Sequence, residues 1–439
     1  MLERIFHVRA AGSAPGREVL GGLTTFLTMA YILAVNPVFL KAAGMPEQGA
    51  ILATALAAAF ATFLMAFVAN YPIALAPGMG MNAFFAYSIC VAAGVPWQTA
   101  LGMVFWAGVV FVLLTVTGAR RVLVRAVPDV LKLAGAVGIG LFIAFIGLQH
   151  GGIVRADRNT MVGLGDLTAP AALLTLFGLA VSLILMAAGV RTAIFWGLAA
   201  TLAAAAVTGQ VKAPPSLVSV PALAALPGLA IDLWGALRLE YVPLMLVLLF
   251  FALFDTLGTL MGLAHEAGFL RADGEMPRLE RALAADALGM VGGALIGTSP
   301  VTSYIESGAG VGVGARTGLA NVITGALLLV SLFLTPLVAM VSQADAGGFT
   351  PVTAPALILV GILMVRAVRE IDWSDLTEAA PAFFTALVMP LTFNISHGLA
   401  AGIVVYALVK TAARRWREVH WLIYALAVLF VLRYAFLPA

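Results

Sequence analysis

Long apolar runs, nearly free of charge, dominate the chain. They fall at 19–41, 50–69, 99–118, 133–149, 170–188, 192–208, 240–264, 281–297, 318–342, 354–366, 377–394 and 396–411. Most come close to the roughly 20 residues a helix needs to cross the hydrocarbon of a bilayer. Two further segments are irregular: NYPIALAPGMGMNAFFAYSICVA (70–92) and IGTSPVTSYIESGAGVGVGA (296–315). Each holds a proline, Pro77 or Pro300, several glycines and only a short apolar run after them. Proline removes a backbone donor and clashes with the preceding turn. Lipid cannot satisfy the backbone groups that a broken helix frees. Each segment is therefore predicted as an extended piece followed by a half-helix, with Pro77 to Met81 extended and Asn82 opening the first half-helix.

The two broken segments stand 223 positions apart, about half the chain, and each is the third span of its half, counted from 19 and from 240. Corresponding broken spans in two halves point to a binding site near the bilayer midplane. Seven spans per half is an odd number, so the halves start on opposite sides and form an inverted repeat. The fold class predicted is an all-α polytopic membrane protein with about fourteen spans in a seven-plus-seven inverted repeat.

Composition agrees. Of 439 residues, 62% are hydrophobic, 10% are charged and 45 are glycine. The mean hydropathy is +1.06. A soluble globular protein and a disordered chain are excluded, and a net charge of +3 is too small to make a nucleic-acid-binding surface. The single cysteine, Cys90, excludes an intrachain disulfide, and no His/Cys/Asp cluster has metal spacing. No cofactor is expected. Basic residues favour one set of connections: Arg120, Arg121 and Arg125; Arg191; Arg271, Arg278 and Arg281; Arg316; Arg366 and Arg369; Lys410, Arg414, Arg415 and Arg417. This bias places those loops and the N-terminus in the cytoplasm. Residues 1–18 carry three arginines and no apolar core of signal-peptide length; a short surface helix and a frayed tail both fit them. Residues 419–437 are apolar enough to span but would be a fifteenth crossing. They are expected to lie at the interface or on the bundle, with Arg433 reaching headgroups.

Two acids stand inside the apolar segments: Asp255 in LLFFALFDTLGTLMGLA, and Glu306 at the start of the second half-helix. A carboxyl at that depth is costly and usually faces a cavity, where it works on substrate, ion or proton. The other reading is a structural carboxyl that caps backbone freed by the broken spans. Arg316 and Asp286 lie near span ends and are expected to be snorkelling or helix-end residues. Asn82 is the polar counterpart in the first half, as ligand contact or as helix cap. Half-helix N-termini offer unpaired N–H donors. With the two acids as acceptors, such a site suits a neutral, flat, polar ligand. Phe26 or Phe84 could stack on an aromatic ligand, although core packing fits any single Phe. Thr24, Thr25 and Thr28 share the first span with Phe26, and Thr256 and Thr259 flank Asp255. The threonines could bond ligand or only their own i−4 carbonyls. GAGVGVGARTG (308–318) is not a nucleotide fingerprint, because the spacing and the strand–helix context are missing.

The stretches APGMGMNAFFAYS (76–88), FDTLGTLMG (254–262), TSPVTSYIESGAGVGVGARTGL (298–319) and GGLTTFLTMAYILAVNP (21–37) resemble those of the AzgA-like purine permeases. These are adenine/guanine/hypoxanthine transporters of the nucleobase–cation symporter group. The resemblance runs nearly end to end and implies the uracil-permease fold. In that fold spans three and ten begin with short β-strands that pair. A core (transport) domain is expected at 19–118 and 240–343, and a gate domain at 119–239 and 344–439. The eighth-span acid carries over to Asp255, the tenth-span glutamate to Glu306 and the third-span asparagine to Asn82. Uracil-type relatives have Glu and His where this chain has Asp255 and Thr259, which would leave room for a bicyclic purine.

The function expected is secondary active import of purine bases across a bacterial inner membrane by proton symport. Glu306, Asp255, Asn82, Thr259, Phe26, Thr25, Ile305 and Ala83 would line the substrate, and Asp255 and Glu306 are the candidates for the coupling proton. Partners would be the purine, protons and the bilayer; the resemblance implies a homodimer. Two alternatives remain at this point. An anion transporter of the same architecture would want Lys or Arg beside the broken spans, and only Arg316 comes near. A membrane-embedded hydrolase would want paired carboxylates with water-activating groups. The chain is not expected to be an enzyme.

Overall fold

The computed structural model describes residues 2–118, 127–271 and 275–436. Arg120, Arg121 and Arg125 lie outside the described residues. The first half holds α1 (Leu2–Phe6), α2 (Pro15–Met29), α3 (Ile32–Ala42), α4 (Glu47–Leu64), β1 (Leu75–Pro77), α5 (Met79–Ala83) and α6 (Trp97–Thr117). It continues with α7 (Asp129–His150), β2 (Val154–Asp157), β3 (Met161–Leu164), α8 (Pro170–Ala187) and α9 (Ala193–Val207). The second half holds α10 (Val242–Ala267), α11 (Leu279–Ile296), β4 (Val301–Ser303), α12 (Ser307–Gly312), α13 (Gly318–Ser331) and α14 (Thr335–Val341). It ends with α15 (Ala354–Val365), α16 (Leu376–Leu391), α17 (Ile395–Ala412) and α18 (Trp421–Phe436).

Eight helical stretches are long and apolar enough, by length and composition, to cross a membrane. The two broken spans, the shorter apolar helices α9, α15 and α16, and α11 complete the order of fourteen. α11 has spanning length but carries Glu280, Arg281 and Asp286. α18 is the additional helix. The first span breaks at Ala30–Tyr31, where Leu33 and Ala34 bond back to the carbonyls of Ala30 and Tyr31. Pro37 inside α3 supplies no N–H to the helix ladder.

The broken spans meet as expected. β1 and β4 pair antiparallel, with Leu75 opposite Ser303, Ala76 opposite Thr302 and Pro77 opposite Val301. The Gly78 N–H donates to Pro300 O and the Tyr304 N–H to Ala74 O, so the buried backbone around the pair is satisfied. The first half-helix begins earlier than expected. α5 starts at Met79, and the Asn82 N–H already bonds the Gly78 carbonyl at 2.7 Å. Asn82 is thus inside the first turn rather than at its opening. After α5 the chain continues as a wider helix over Phe84–Ala92. Glu306 does stand at the start of its half-helix, as the residue before Ser307.

The chain divides into two compact units. One comprises Met1–Val116 and Gly147–Ala356; the other comprises Thr117–Ile146 and Leu357–Ala439. The expected 119–239 segment is therefore split, and residues 147–239 pack with the first unit. The cause is visible in the 209–239 stretch, which is no free loop. The Trp106 indole N–H donates to Leu233 O, and Gly49 and Gly102 lie under the backbone of Ala225 and Asp232. Ala34, Leu174, Ala205, Val211, Val341 and Val352 form one buried cluster in the same unit.

Close helix crossings in the first unit rest on glycine. A Cβ on Gly22 would stand 2.3 Å from Ala320 O, and one on Gly310 would stand 2.2 Å from the Thr25 hydroxyl. Without interhelical hydrophobic drive in lipid, such contact supplies the packing. The N-terminal segment is docked on this unit, neither frayed nor lying free on the surface. Phe6 and Val8 are buried against Leu319. Asn70 ties the Phe6 carbonyl to the Gly318 N–H, at 2.9 and 2.7 Å. Glu18, fully buried, accepts the Arg316 and Thr317 N–H groups at the start of α13.

In the second unit α18 packs along α17 and buries Ile423, Leu426, Ala427 and Phe430. It is a bundle helix by one face. Arg433 is half-buried: its Nη1 has no hydrogen-bond partner among the described residues, and its guanidinium lies 5.9 Å from the Tyr434 ring.

Candidate substrate site

The site belongs to the first unit and is built from α2, α3, α10, α11 and the two broken spans. Glu306 is half-buried. Its Oε1 accepts the Tyr31 hydroxyl at 2.5 Å, and its backbone carbonyl accepts Thr28 at 3.2 Å. The break in the first span is what turns Tyr31 toward the second half-helix. Asp255, mid-helix in α10, is exposed at the surface of the chain. It lies near the Thr302 hydroxyl of β4 and close enough to Glu306 for the charges to interact. Tyr304, buried, donates to Pro77 O at 2.5 Å and so locks one strand of the pair to the other.

Asp286 is a third carboxyl that the sequence reading misplaced. It is fully buried, not a helix-end residue. The Thr256 hydroxyl donates to its Oδ2 at 2.6 Å and Ser303 to its Oδ1 at 2.8 Å. Its position within α11 was the available signal: two helical turns past the charged start and inside the apolar part. Tyr31, Tyr304 and Thr302 carried no comparable signal, because only the strand pairing brings them to the acids. No ion pair engages Asp255, Glu306 or Asp286 among the described residues.

The remaining expected residues divide. Asn82 is fully buried. Its Oδ1 accepts Ser299 at 2.8 Å, and its amide N–H donates to Pro77 O at 3.3 Å. Ser299 also reaches Asn36, whose amide donates to Thr54 and Thr298. This is a closed polar network that fastens the two broken segments to α3 and α4. Ala83 is fully buried, and Thr25 is buried at the crossing with Gly310. Ile305 is 51% exposed beside Glu306, and Phe26 and Thr259 are half-buried. Phe84 packs edge-on against Phe251 at 5.8 Å. The geometry thus brings Glu306, Tyr31, Asp255 and Thr302 together, while Asn82, Ala83 and Thr25 are buried in the packing around them.

Such a site, on broken spans of an inverted repeat, defines a membrane permease. The Permease family model Xan_ur_permease matches residues 16–401. The putative permease MJ0326 of Methanocaldococcus jannaschii is 46% identical, covering 99% of this chain and 98% of that protein. The guanine/hypoxanthine permease PbuO of Bacillus subtilis is 42% identical over 98% and 99%. The adenine permease AdeP of Escherichia coli is 39% identical over 100% and 97%. Among solved structures, the transmembrane domain of the cyanobacterial bicarbonate transporter BicA aligns with TM-score 0.63 at 17% identity, covering 88% of this chain and 97% of that one. SLC26A9 aligns with TM-score 0.60 at 10% identity, covering 90% and 65%. These two show the fold. The chain belongs to the Permease family and, within it, to the group of adenine and guanine/hypoxanthine permeases. It is an integral membrane protein.

Proposed function

We propose that the protein imports purine nucleobases across the cytoplasmic membrane by proton symport with alternating access. The observation that carries this reading is the set of carboxyls at and beside the broken spans, with no ion pair to them among the described residues. Glu306 offers acceptor oxygens to ring and exocyclic N–H groups of a purine, while Tyr31 holds the carboxyl in place. Asp255, exposed and near Glu306, takes the coupling proton. A proton there offsets the charge repulsion between the two acids as a neutral base binds. The same carboxyls oppose an anionic cargo, so the likeness to bicarbonate and SLC26 carriers extends to the fold and not to the substrate. The relatives' purines support the substrate class. The basic loops favour a cytoplasmic N-terminus, and the implied homodimer is tested by the mass of the solubilised particle.

The test is uptake of radiolabelled adenine, guanine, hypoxanthine and uracil by cells stripped of their own nucleobase permeases, with and without a protonophore. Saturable purine uptake abolished by the protonophore is expected. Purine uptake indifferent to it removes proton coupling; no uptake by protein confirmed in the membrane removes the substrate assignment.

A further inference from the structure

Each half-helix is tied to a residue outside the broken spans, and neither tie has a part in the purine contact described above. On the wider helix that follows α5, the Tyr87 hydroxyl lies 3.1 Å from Nε2 of His150, the last residue of α7. Thr350 fixes that imidazole: its hydroxyl lies 3.2 Å from His150 Nδ1, and its N–H donates to the His150 carbonyl at 2.9 Å. On α12, which starts just after Glu306, the Ala309 carbonyl accepts Arg191 Nη1 at 3.4 Å. The guanidinium lies over Gly312, where a Cβ would stand 2.5 Å from Nη1.

One helix joins the two ties. His150 is followed by Gly151, which seats against Thr175 of α8. The Thr175 hydroxyl donates to Gly151 O at 3.4 Å, and a Cβ on Gly151 would stand 2.6 Å from Thr175 Cγ2. At its other end α8 closes with the Gly189 N–H on Met186 O and the Val190 N–H on Leu185 O, and Arg191 comes next in the chain. The 18 residues of α8 span about 27 Å, so the ties stand near opposite ends of a membrane-crossing helix. With the N-terminus cytoplasmic, as proposed above, Arg191 is on the inner side and His150 on the outer side. The half-helices for their part form one body, because β1 pairs with β4 and Tyr304 bonds Pro77 O across the pair.

We infer that α8 is a strut whose two end contacts open in turn during transport. Both contacts are made in this structure. Rocking the half-helix body against the strut keeps one and breaks the other. Loss of the Tyr87–His150 contact opens the path from outside. Loss of the Arg191 contact with α12 opens the path to the cytoplasm. Each contact is weak enough to break repeatedly: one is a single bond between side chains, and the other is a long bond from an exposed arginine. Tyr87, His150 and Arg191 are positioning residues that act through the half-helices. The inference rests on the alternating-access reading.

The test uses full-length protein in which Cys90, the single cysteine, is replaced by serine, and Ile305, 51% exposed beside Glu306, is replaced by cysteine as reporter. The rate of labelling by a membrane-impermeant maleimide is measured in intact cells and in inside-out vesicles, with and without adenine, guanine or hypoxanthine. Tyr87→Phe is expected to raise labelling from outside by about twofold to tenfold, the worth of one hydrogen bond, and to lower it from inside. Arg191→Gln is expected to do the reverse. Gly312→Ala keeps the charge and displaces only the flexible end of Arg191, so it should match Arg191→Gln. Shifts of the same sign at Tyr87 and Arg191, or no shift at either, would overturn the strut. A shift in Arg191→Gln that Gly312→Ala does not share would overturn the seat on α12. Reversed signs would overturn the side assigned to each contact. Labelling that none of the three purines slows would overturn the purine reading of the site, whatever the variants do.

Discussion

Two clusters of acids in this molecule are handled in opposite ways. In the second unit, Glu378 and Glu418 both contact Lys410, at 2.6 and 3.0 Å. Arg415 joins Glu418 at 2.7 Å and Asp375 at 2.5 Å. These acids have cations and lie at helix ends and in the turn before α18. In the first unit, Asp255, Glu306 and Asp286 lie inside the apolar segments, and their hydrogen bonds are with hydroxyls and backbone. A carboxylate beside a cation is fixed in its charged form. A carboxyl beside hydroxyls can gain or lose a proton without leaving a buried charge unpaired. The first arrangement fastens a structure and the second keeps a site responsive.

The largest effect expected is at the unpaired acids. Glu306→Gln should weaken purine binding by about tenfold to a hundredfold, the range for a hydrogen bond to a charged group, measured by equilibrium binding to purified protein. Asp255→Asn should abolish protonophore-sensitive accumulation in cells. Wild-type affinity and accumulation in both variants would erase the contrast. Next comes the paired cluster. Lys410→Met strips a 1% exposed lysine from two carboxylates. It should destabilise the protein by about 2–4 kcal/mol, read as a lower Tm in detergent, with purine affinity unchanged. An unchanged Tm would make the pairing incidental.

Asn82→Ala should cost about 1–3 kcal/mol of stability by orphaning Ser299 and the Pro77 carbonyl, again with little loss of affinity. A large loss of affinity at unchanged Tm would instead return Asn82 to the substrate. Tyr31→Phe should weaken purine binding by about fivefold, the value of one neutral hydrogen bond.

The smallest effect is in pH. Hydrogen bonds from Arg415 and then Thr377 hold the Asp375 carboxyl down at about 2, and Arg415 followed by Lys410 does the same for Glu418. Both values are depressed in the folded state. Their stabilisation is therefore complete above the ordinary carboxylate range and is lost as pH falls through it toward about 2. Tm should be insensitive to this cluster between about pH 8 and pH 5 and fall below about pH 4. Asp375→Asn should flatten that acid limb, and a limb of unchanged shape would assign it elsewhere.

The sequence showed the spans through their apolar length, the breaks through Pro77 and Pro300, and the repeat through the matched positions of those breaks. It also singled out Asp255 and Glu306, because charge inside an apolar run is costly enough to need a reason. It misread Asp286, because the charges at the head of α11 made the whole helix look peripheral. It set the opening of the first half-helix at Asn82, whereas α5 begins at Met79, because the glycine-rich stretch before Asn82 gives no local sign of where the helix starts. It left the N-terminal segment free, because Phe6 and Val8 show no partner until Leu319 is brought beneath them.

The sequence by itself determined how many times the chain crosses, where it breaks and which acids are out of place. These depend on local composition and on the cost of unmet polar groups in lipid. Only the tertiary structure decided which side chains meet at the breaks. The β1–β4 pair joins residues more than two hundred positions apart, and a shift of one residue in its register would turn Thr302 from Asp255 to the opposite face.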